Sequence, residues 1–222
     1  MKRFSILLIA LLSGCAHKAL PSNFVALSAV APTVQQDMRY HTSENFVGRP
    51  IAGYPNGICV LTKQAADAVL RVQAELHKKG LGLKVFDCYR PQKAVNDFVV
   101  WSKDVRDQKM KSEYYPRVDK AEFFELGYVA AKSGHTRGST VDLTVIDLKT
   151  GKQLDMGGEF DFMDERSHPT CQTITPEQYR NRMMLRELML QNKFKPLATE
   201  WWHFTLEKEP FPDTYFNFEV SK

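Results

Sequence analysis

The chain has 222 residues, a length that suits one domain with an ample apolar core. Its formal charge is +4, and it falls to about +2 when the two basic residues of the leader, Lys2 and Arg3, are set apart. The densest basic stretch, residues 103–111, is interrupted by Asp104 and Asp107 and is typical of a solvated surface. The charge pattern therefore gives nucleic-acid binding little support.

The first fifteen residues are typical of a targeting segment. Two basic residues precede a largely apolar run, residues 4–12, which is too short to span a membrane as a mature helix. The letters LSGC at residues 12–15 then resemble a bacterial lipobox, where the leader is cleaved and the cysteine receives lipid. We predict a lipoprotein signal peptide over residues 1–14 and lipidation of Cys15. An ordinary secretory leader with a chance cysteine is the alternative.

A lipid on Cys15 predicts a place in the cell envelope, facing the periplasm, with the membrane contacted only through the anchor. Ala16 follows the cysteine, where an Asp would favour retention in the inner membrane, so we expect the outer membrane if the host is diderm. Residues 15–36 are rich in small residues and proline, and we predict a tether there. The domain itself is then expected over residues 37–222.

Predicted elements begin with a helix over residues 62–79, whose apolar residues recur at helical spacing before Gly80 ends it. A short strand follows over residues 83–87. Pro91 suits the first turn of a helix that reaches about residue 103. A capping-box-like pair of acids predicts a further helix over residues 119–126.

The second half predicts a strand over residues 141–146 and a turn over residues 149–152 that leads to another strand. A long helix is expected over residues 175–192, and a last strand over residues 201–206. Helices and strands are mixed without regular βαβ alternation. This order favours a single compact α+β domain over a doubly wound sheet.

The strongest chemical signal is a set of three candidate metal ligands. His135 and Asp142 stand in the segment SGHTRGSTVD at residues 133–142, and His203 ends the segment EWWH at residues 200–203. A catalytic zinc usually has three protein ligands and one position open to water. The spacing of His135 and Asp142 alone is a weak signal, because six histidines and many acids produce it by chance.

Glu200 would then remain free to act as a general base beside the metal. Residues three apart in an ideal strand face opposite sides of the sheet. Glu200 and His203 can therefore share one site only if Glu200 lies at the entry of the last strand or if that strand is bulged. We predict one of these two arrangements.

Several long motifs occur in the order found in one known family. They are YHTSENFVG from residue 40, DCYRP from residue 87, the segment at residues 133–142, MGGEFDFMDERSH from residue 156, and EWWH. With them the chain resembles the VanX-type D-alanyl-D-alanine dipeptidases, zinc peptidases of family M15 that are related to D,D-carboxypeptidases and to the hedgehog-type fold. The resemblance implies a mainly antiparallel central sheet flanked by helices and one zinc ion per chain.

The resemblance also implies roles for the site residues. His135, Asp142 and His203 would be the zinc ligands, Glu200 the catalytic base, and Arg90 the cation that faces the scissile carbonyl and its oxyanion. Taken alone, Arg90 also fits a surface ion pair in an Arg-Pro turn. The resemblance also implies that Ser133 and Asp161 lie in the substrate pocket and that Tyr40 lies at its rim.

Three cysteines remain besides Cys15, namely Cys59, Cys88 and Cys171. An odd number permits at most one internal disulfide, and the sequence does not choose the pair. Cys88 stands two residues before Arg90, so its sulfur is also a conceivable fourth metal ligand. We do not favour that role, because a fourth protein ligand would close the site to water.

These expectations combine into an enzyme that hydrolyses the small dipeptide D-Ala-D-Ala in the cell envelope with zinc. One alternative is a related D,D-carboxypeptidase or an endopeptidase that trims peptidoglycan stem peptides. Another is a zinc-stabilised envelope binding module without activity, which the presence of Glu200 and Arg90 beside a full ligand set disfavours. The oligomeric state is left open.

Overall fold

The structure is a computed structural model, and it describes residues 19–221. The predicted signal peptide and Cys15 lie outside this range. Within it, no helix has both the length and the apolar character that a membrane crossing requires.

A five-stranded sheet forms the centre of the molecule. In spatial order its strands are β2, β4, β5, β7 and β6; β2 runs parallel to β4, and all other neighbours are antiparallel. The expectation of an α+β domain with a mainly antiparallel sheet is confirmed. The strands are β1 (Phe24–Ala26), β2 (Gln35–Gln36), β3 (Val60–Thr62), β4 (Leu81–Asp87), β5 (Thr140–Asp147), β6 (Phe194–Pro196) and β7 (His203–Leu206).

Three longer helices match the predicted ones. Thr62 accepts a hydrogen bond from the backbone of Ala65 at the start of the first, which then packs an apolar face against β3 and β4. Thr175 and Gln178 form a capping box at the start of the last. Pro91 is the N-cap residue of the helix over Gln92–Lys103. The helices are α1 (Leu27–Val30), α2 (Lys63–His77), α3 (Gln92–Lys103), α4 (Lys111–Tyr114) and α5 (Pro176–Gln191).

Two sequence predictions of local structure are wrong. The helix expected over residues 119–126 is only a 3-10 turn at Lys120–Glu122, although the predicted capping box is present. Phe123 is buried, but the following residues 124–127 are exposed, so no apolar face stabilises a longer helix. After the turn at residues 149–152, the chain forms only an isolated bridge between Gln153 and Ile146.

The tether predicted over residues 15–36 is also wrong for its second half, and the domain begins before residue 37. Phe24 and Leu27 are buried, and β1 pairs with β3. Gly138 has a left-handed φ of 82°, and a Cβ at this position would collide with the ring of Phe24. Residues from Phe24 onward therefore pack as part of the domain, and Phe24 contacts the turn that follows His135.

A disulfide joins Cys59, just before β3, to Cys88, just after β4. Both cysteines are buried, while Cys171 is free and half-buried. The bond decides the pairing that the sequence left open. It also excludes Cys88 as a metal ligand, because its sulfur is already bonded.

Candidate active site

The register of the sheet places two aspartate side chains and one histidine side chain in one row. Asp142 in β5 lies directly opposite Asp87 of β4 on one side and His203 of β7 on the other. Directly opposed residues of antiparallel strands point to the same face of a sheet. Three neighbouring strands therefore present their polar groups to a single pocket.

The predicted metal ligands converge in that pocket. His135 Nε2 lies 3.2 Å from Asp142 Oδ2, and His203 Nδ1 lies 3.1 Å from Asp142 Oδ1. The two imidazole nitrogens are 3.3 Å apart. One donor atom from each of the three residues thus lies within 4.8 Å of the others, an arrangement that can hold a metal ion.

The hydrogen bond of the second ring nitrogen fixes the orientation of His135. Its Nδ1 lies 2.7 Å from the carbonyl oxygen of Cys88, which can only accept. Nδ1 therefore donates its proton, and in the neutral ring the lone pair of Nε2 faces Asp142 and His203. This second contact of the metal ligand could not be read from the sequence.

The donor set fits a divalent cation. Asp142 Oδ1 is buried without a hydrogen-bond partner of acceptable geometry. Burial disfavours the imidazolium form of His203, but the carboxylates of Asp142 and Glu200 outweigh this effect and raise its pKa to about 10. Two facing imidazole nitrogens and an orphaned carboxylate oxygen all gain a partner when a metal ion lies between them.

Glu200 lies at the entry of β7, in the turn that leads into the strand, where the backbone N–H of His203 donates to the Glu200 carbonyl. Its carboxylate oxygen Oε2 is 3.4 Å from His203 Nδ1. Of the two arrangements expected from the sequence, the strand-entry arrangement is the one found. Glu200 therefore reaches the ligand cluster without being one of its three members.

Arg90 is held beside the cluster by a residue that the sequence analysis did not select. The buried carboxylate of Asp87 accepts a hydrogen bond of 2.9 Å from Arg90 Nε and one of 2.7 Å from the Tyr54 hydroxyl. A terminal nitrogen of Arg90 lies 3.8 Å from Asp142 Oδ2. The available signal was an acid at the end of an apolar strand, three residues before Arg90.

Tyr40 lies at the base of the pocket, and the expectation that it lies at the rim is wrong. Its side chain is 1% exposed, and its hydroxyl donates a hydrogen bond of 2.7 Å to Asp161 Oδ2. The Arg90 guanidinium carbon lies 5.0 Å from the centre of the Tyr40 ring. Tyr40 therefore supports both Asp161 and Arg90 from below, since its ring packs inside a cluster of other aromatic rings.

Ser133 caps the 3-10 helix that contains His135, because its hydroxyl accepts a hydrogen bond from the His135 backbone. Its side chain also faces the pocket. The pocket has a volume of about 260 Å³, and every predicted site residue except Cys15 lines it. Such a volume suits a very small ligand. The predicted residues that line it are Tyr40, Arg90, Ser133, His135, Asp142, Asp161, Glu200 and His203.

Three carboxyl groups, those of Asp142, Asp161 and Glu200, crowd the inner part of the pocket. Burial disfavours the Asp142 carboxylate, but the charges of His135 and His203 outweigh it and lower the Asp142 pKa below its usual range. Burial and the charge of Asp142 raise the pKa of Asp161 well above its ordinary value. A site that crowds carboxylates in this way stabilises cationic ligands.

The family model for D-Ala-D-Ala dipeptidases matches residues 21–221. The chain belongs to this family of metallopeptidases. It is 43% identical over 202 residues to the D-alanyl-D-alanine dipeptidase of Enterococcus faecalis, with 91% of this chain and 100% of that protein covered. The enzyme of the same name from Streptomyces coelicolor is 41% identical over the same shares of both chains. That of Escherichia coli is 33% identical, over 83% of this chain and 85% of that protein.

Asp87 holds the side chain of Arg90, and the hydrolysis of D-Ala-D-Ala by this family provides an assay for that role. If Arg90 stabilises the developing oxyanion, as the family resemblance implies, we expect Asp87→Asn to lower the rate of D-Ala-D-Ala hydrolysis by roughly 100-fold or more, because Arg90 loses the anion that holds its guanidinium. Metal content should persist, since the three ligands are unchanged. Steady-state kinetics and metal analysis of the purified variant measure both effects.

The matched control is Asp97→Asn, which breaks the ion pair of Asp97 with Arg49 away from the pocket. It should leave turnover near the wild-type rate. Unchanged turnover in folded Asp87→Asn would contradict the positioning role.

Proposed function

We propose that the protein binds one zinc ion at His135, Asp142 and His203 and hydrolyses free D-Ala-D-Ala to two D-alanines in the cell envelope. The observation that supports this most directly is the geometry of the ligand cluster. Two imidazole nitrogens and a carboxylate face one another at 3.1–3.3 Å, with Glu200 and Arg90 on either side. This is a three-ligand set with room for a fourth, non-protein ligand.

When bound there, zinc supplies Lewis acidity and lowers the pKa of a coordinated water to about 7. Glu200 accepts a proton from the attacking water, whose oxygen forms a bond to the peptide carbonyl carbon. Arg90, held by Asp87, stabilises the negative charge that develops on the carbonyl oxygen. Glu200 then returns the proton to the leaving nitrogen as the C–N bond breaks, and two D-alanines are released.

Asp161 supports a free dipeptide as the substrate. A zwitterionic dipeptide presents an ammonium group, and the buried carboxylate of Asp161 gains a counterion when that ammonium binds. A D,D-carboxypeptidase or stem-peptide endopeptidase acts on a longer chain with an amide at this position, which leaves Asp161 buried and unpaired. The hydroxyl of Ser133 is available to donate to the substrate carboxylate from the other side of the pocket.

The proposed location is the cell envelope. Lipid attached to Cys15 would be the contact of the protein with the membrane. The buried Cys59–Cys88 disulfide supports this location, since such bonds persist in oxidising compartments and are rare in the cytoplasm. An enzyme outside the inner membrane does not reach the cytoplasmic dipeptide pool. Its proposed role is therefore recycling or scavenging of D-Ala-D-Ala released in the envelope.

Two substitutions should separate the base from the ligands. Glu200→Ala should retain zinc and lose turnover by roughly 100-fold or more, because it removes the proton acceptor but no ligand. His203→Ala should lose zinc affinity and turnover together. Zinc analysis and hydrolysis assays measure the contrast, with Glu207→Ala at the exposed end of β7 as the control. Normal turnover in Glu200→Ala would exclude its role as the base.

Substrate length decides between the dipeptidase and its relatives. We expect D-Ala-D-Ala to be hydrolysed at least ~100-fold more efficiently than a stem pentapeptide that ends in D-Ala-D-Ala, because only the dipeptide gives Asp161 an ammonium partner. Competing hydrolysis in one reaction, followed by quantification of released D-alanine, gives the ratio. A preference for the pentapeptide would assign the chain to stem-peptide trimming.

The anchor is tested in cells. Cys15→Ser should move the active protein from the membrane fraction to the soluble fraction, because the cysteine is the proposed site of lipid attachment. Cys171→Ser, which changes the free cysteine of the domain, should leave the distribution unchanged. Active protein found in the cytoplasm with its leader intact would contradict the proposed location.

A further inference from the structure

Arg182 lies behind the pocket with its guanidinium fully buried, although it is placed on a helix that contributes no predicted site residue. It projects from α5, and its side chain is 1% exposed. Its Nε donates to the carbonyl of Met156, and one terminal nitrogen donates to the carbonyls of Arg166 and His168 at 2.9 and 2.7 Å. All three acceptors belong to one segment, residues 156–168, which we call the Asp161 loop.

The contacts of Arg182 are unusual for a buried cation. Among the described residues, no carboxylate forms an ion pair with it. Burial lowers its pKa to about 10, so the side chain is still a cation at neutral pH. Carbonyl oxygens of the Asp161 loop therefore provide the compensation that an acid usually provides. Removing the guanidinium would take these hydrogen bonds from all three carbonyls, and the His168 carbonyl would keep only the one donated by the Cys171 backbone N–H.

The acceptors lie on both sides of Asp161. Met156 precedes it by five residues, and Arg166 and His168 follow it. Asp161 itself has a φ of 61°, a left-handed backbone conformation that is unfavourable for a residue other than glycine. Such a conformation persists only where the surrounding structure fixes it. The hydrogen bonds of Arg182 fix both ends of the loop that carries it.

The same guanidinium also contacts the turn that contains Glu200. Its carbon lies 5.8 Å from the centre of the Trp201 ring, and the Trp201 backbone N–H donates 3.0 Å to the carbonyl of Ser167 in the Asp161 loop. Trp201 directly follows Glu200. One buried side chain therefore touches both the loop that carries the ammonium partner and the turn that carries the base.

We propose that Arg182 is a positioning residue for substrate recognition, which holds the Asp161 loop so that the carboxylate of Asp161 meets the substrate ammonium. This inference rests on the proposed dipeptidase function. The zinc ligands lie on β5, on β7 and on the loop after Ser133, so the role of Arg182 is separate from metal binding. Its loss should impair recognition of the free amino group more than it impairs the chemical step.

The test uses full-length Arg182→Lys and Arg182→Met, with Arg180→Lys on the exposed face of α5 as the matched control. We expect KM for D-Ala-D-Ala to rise ~10-fold or more while kcat changes much less. The Asp161 loop accepts all three hydrogen bonds of Arg182, whereas the turn of Glu200 has only the ring contact through Trp201, so the loop should be displaced more than the base. Zinc content should match wild type. The preference for D-Ala-D-Ala over its N-acetylated form should shrink, and Arg182→Met should add little to the effect of Asp161→Asn.

Amide hydrogen exchange gives a readout that does not require activity. Exchange in residues 157–165 should accelerate in both variants, while exchange in β5 should not change. Unchanged exchange and unchanged KM in a folded variant would overturn the proposal. Global unfolding of both variants would overturn it as well, since Arg182 would then stabilise the whole fold and not one loop.

Wild-type protein that hydrolyses no dipeptide would instead contradict the proposed function. In that case faster exchange confined to the Asp161 loop would still support the positioning role, so the two failures are distinguishable.

Discussion

The register of β5 against its two neighbours places Asp87, Asp142 and His203 in one row across the sheet. A slip of one residue in either pairing would turn a side chain of that row to the opposite face. His135 joins the row from a capped 3-10 turn, and the carbonyl that orients its ring follows β4 directly. The proposed metal ligands, the proposed base and the arginine beside them therefore depend on one pairing pattern of the sheet.

Charge explains why this arrangement binds cations. Asp142, Asp161 and Glu200 line a small pocket, while the Arg90 guanidinium is already paired with Asp87. Burying several carboxylates together is unfavourable unless cations compensate them. A divalent metal at the histidines and a substrate ammonium at Asp161 are the two cations that we propose for this pocket. On that proposal, substrate choice and metal binding follow from the same crowding of carboxylates.

The sequence predicted the parts of the molecule that local pattern controls. The α2 and α5 helices follow their caps and apolar spacing, and the motif at residues 133–142 located the ligand loop. Contacts between segments that are distant in the chain could not be predicted from the sequence. Phe24 of the supposed tether packs against Gly138, because a glycine there leaves room for its ring. Asp87 reads as the end of an apolar strand until its hydrogen-bond partners are known. Composition alone does not distinguish a flexible segment from a closely packed one.

We propose that the protein is a zinc-dependent dipeptidase for D,D substrates. The most direct test is hydrolysis of a panel of alanyl-alanine stereoisomers by metal-depleted protein, before and after zinc is restored. We expect no turnover without metal, recovery at about one zinc per chain, and a strong preference for D-Ala-D-Ala. Turnover by metal-depleted protein, or equal hydrolysis of L-Ala-L-Ala, would contradict it.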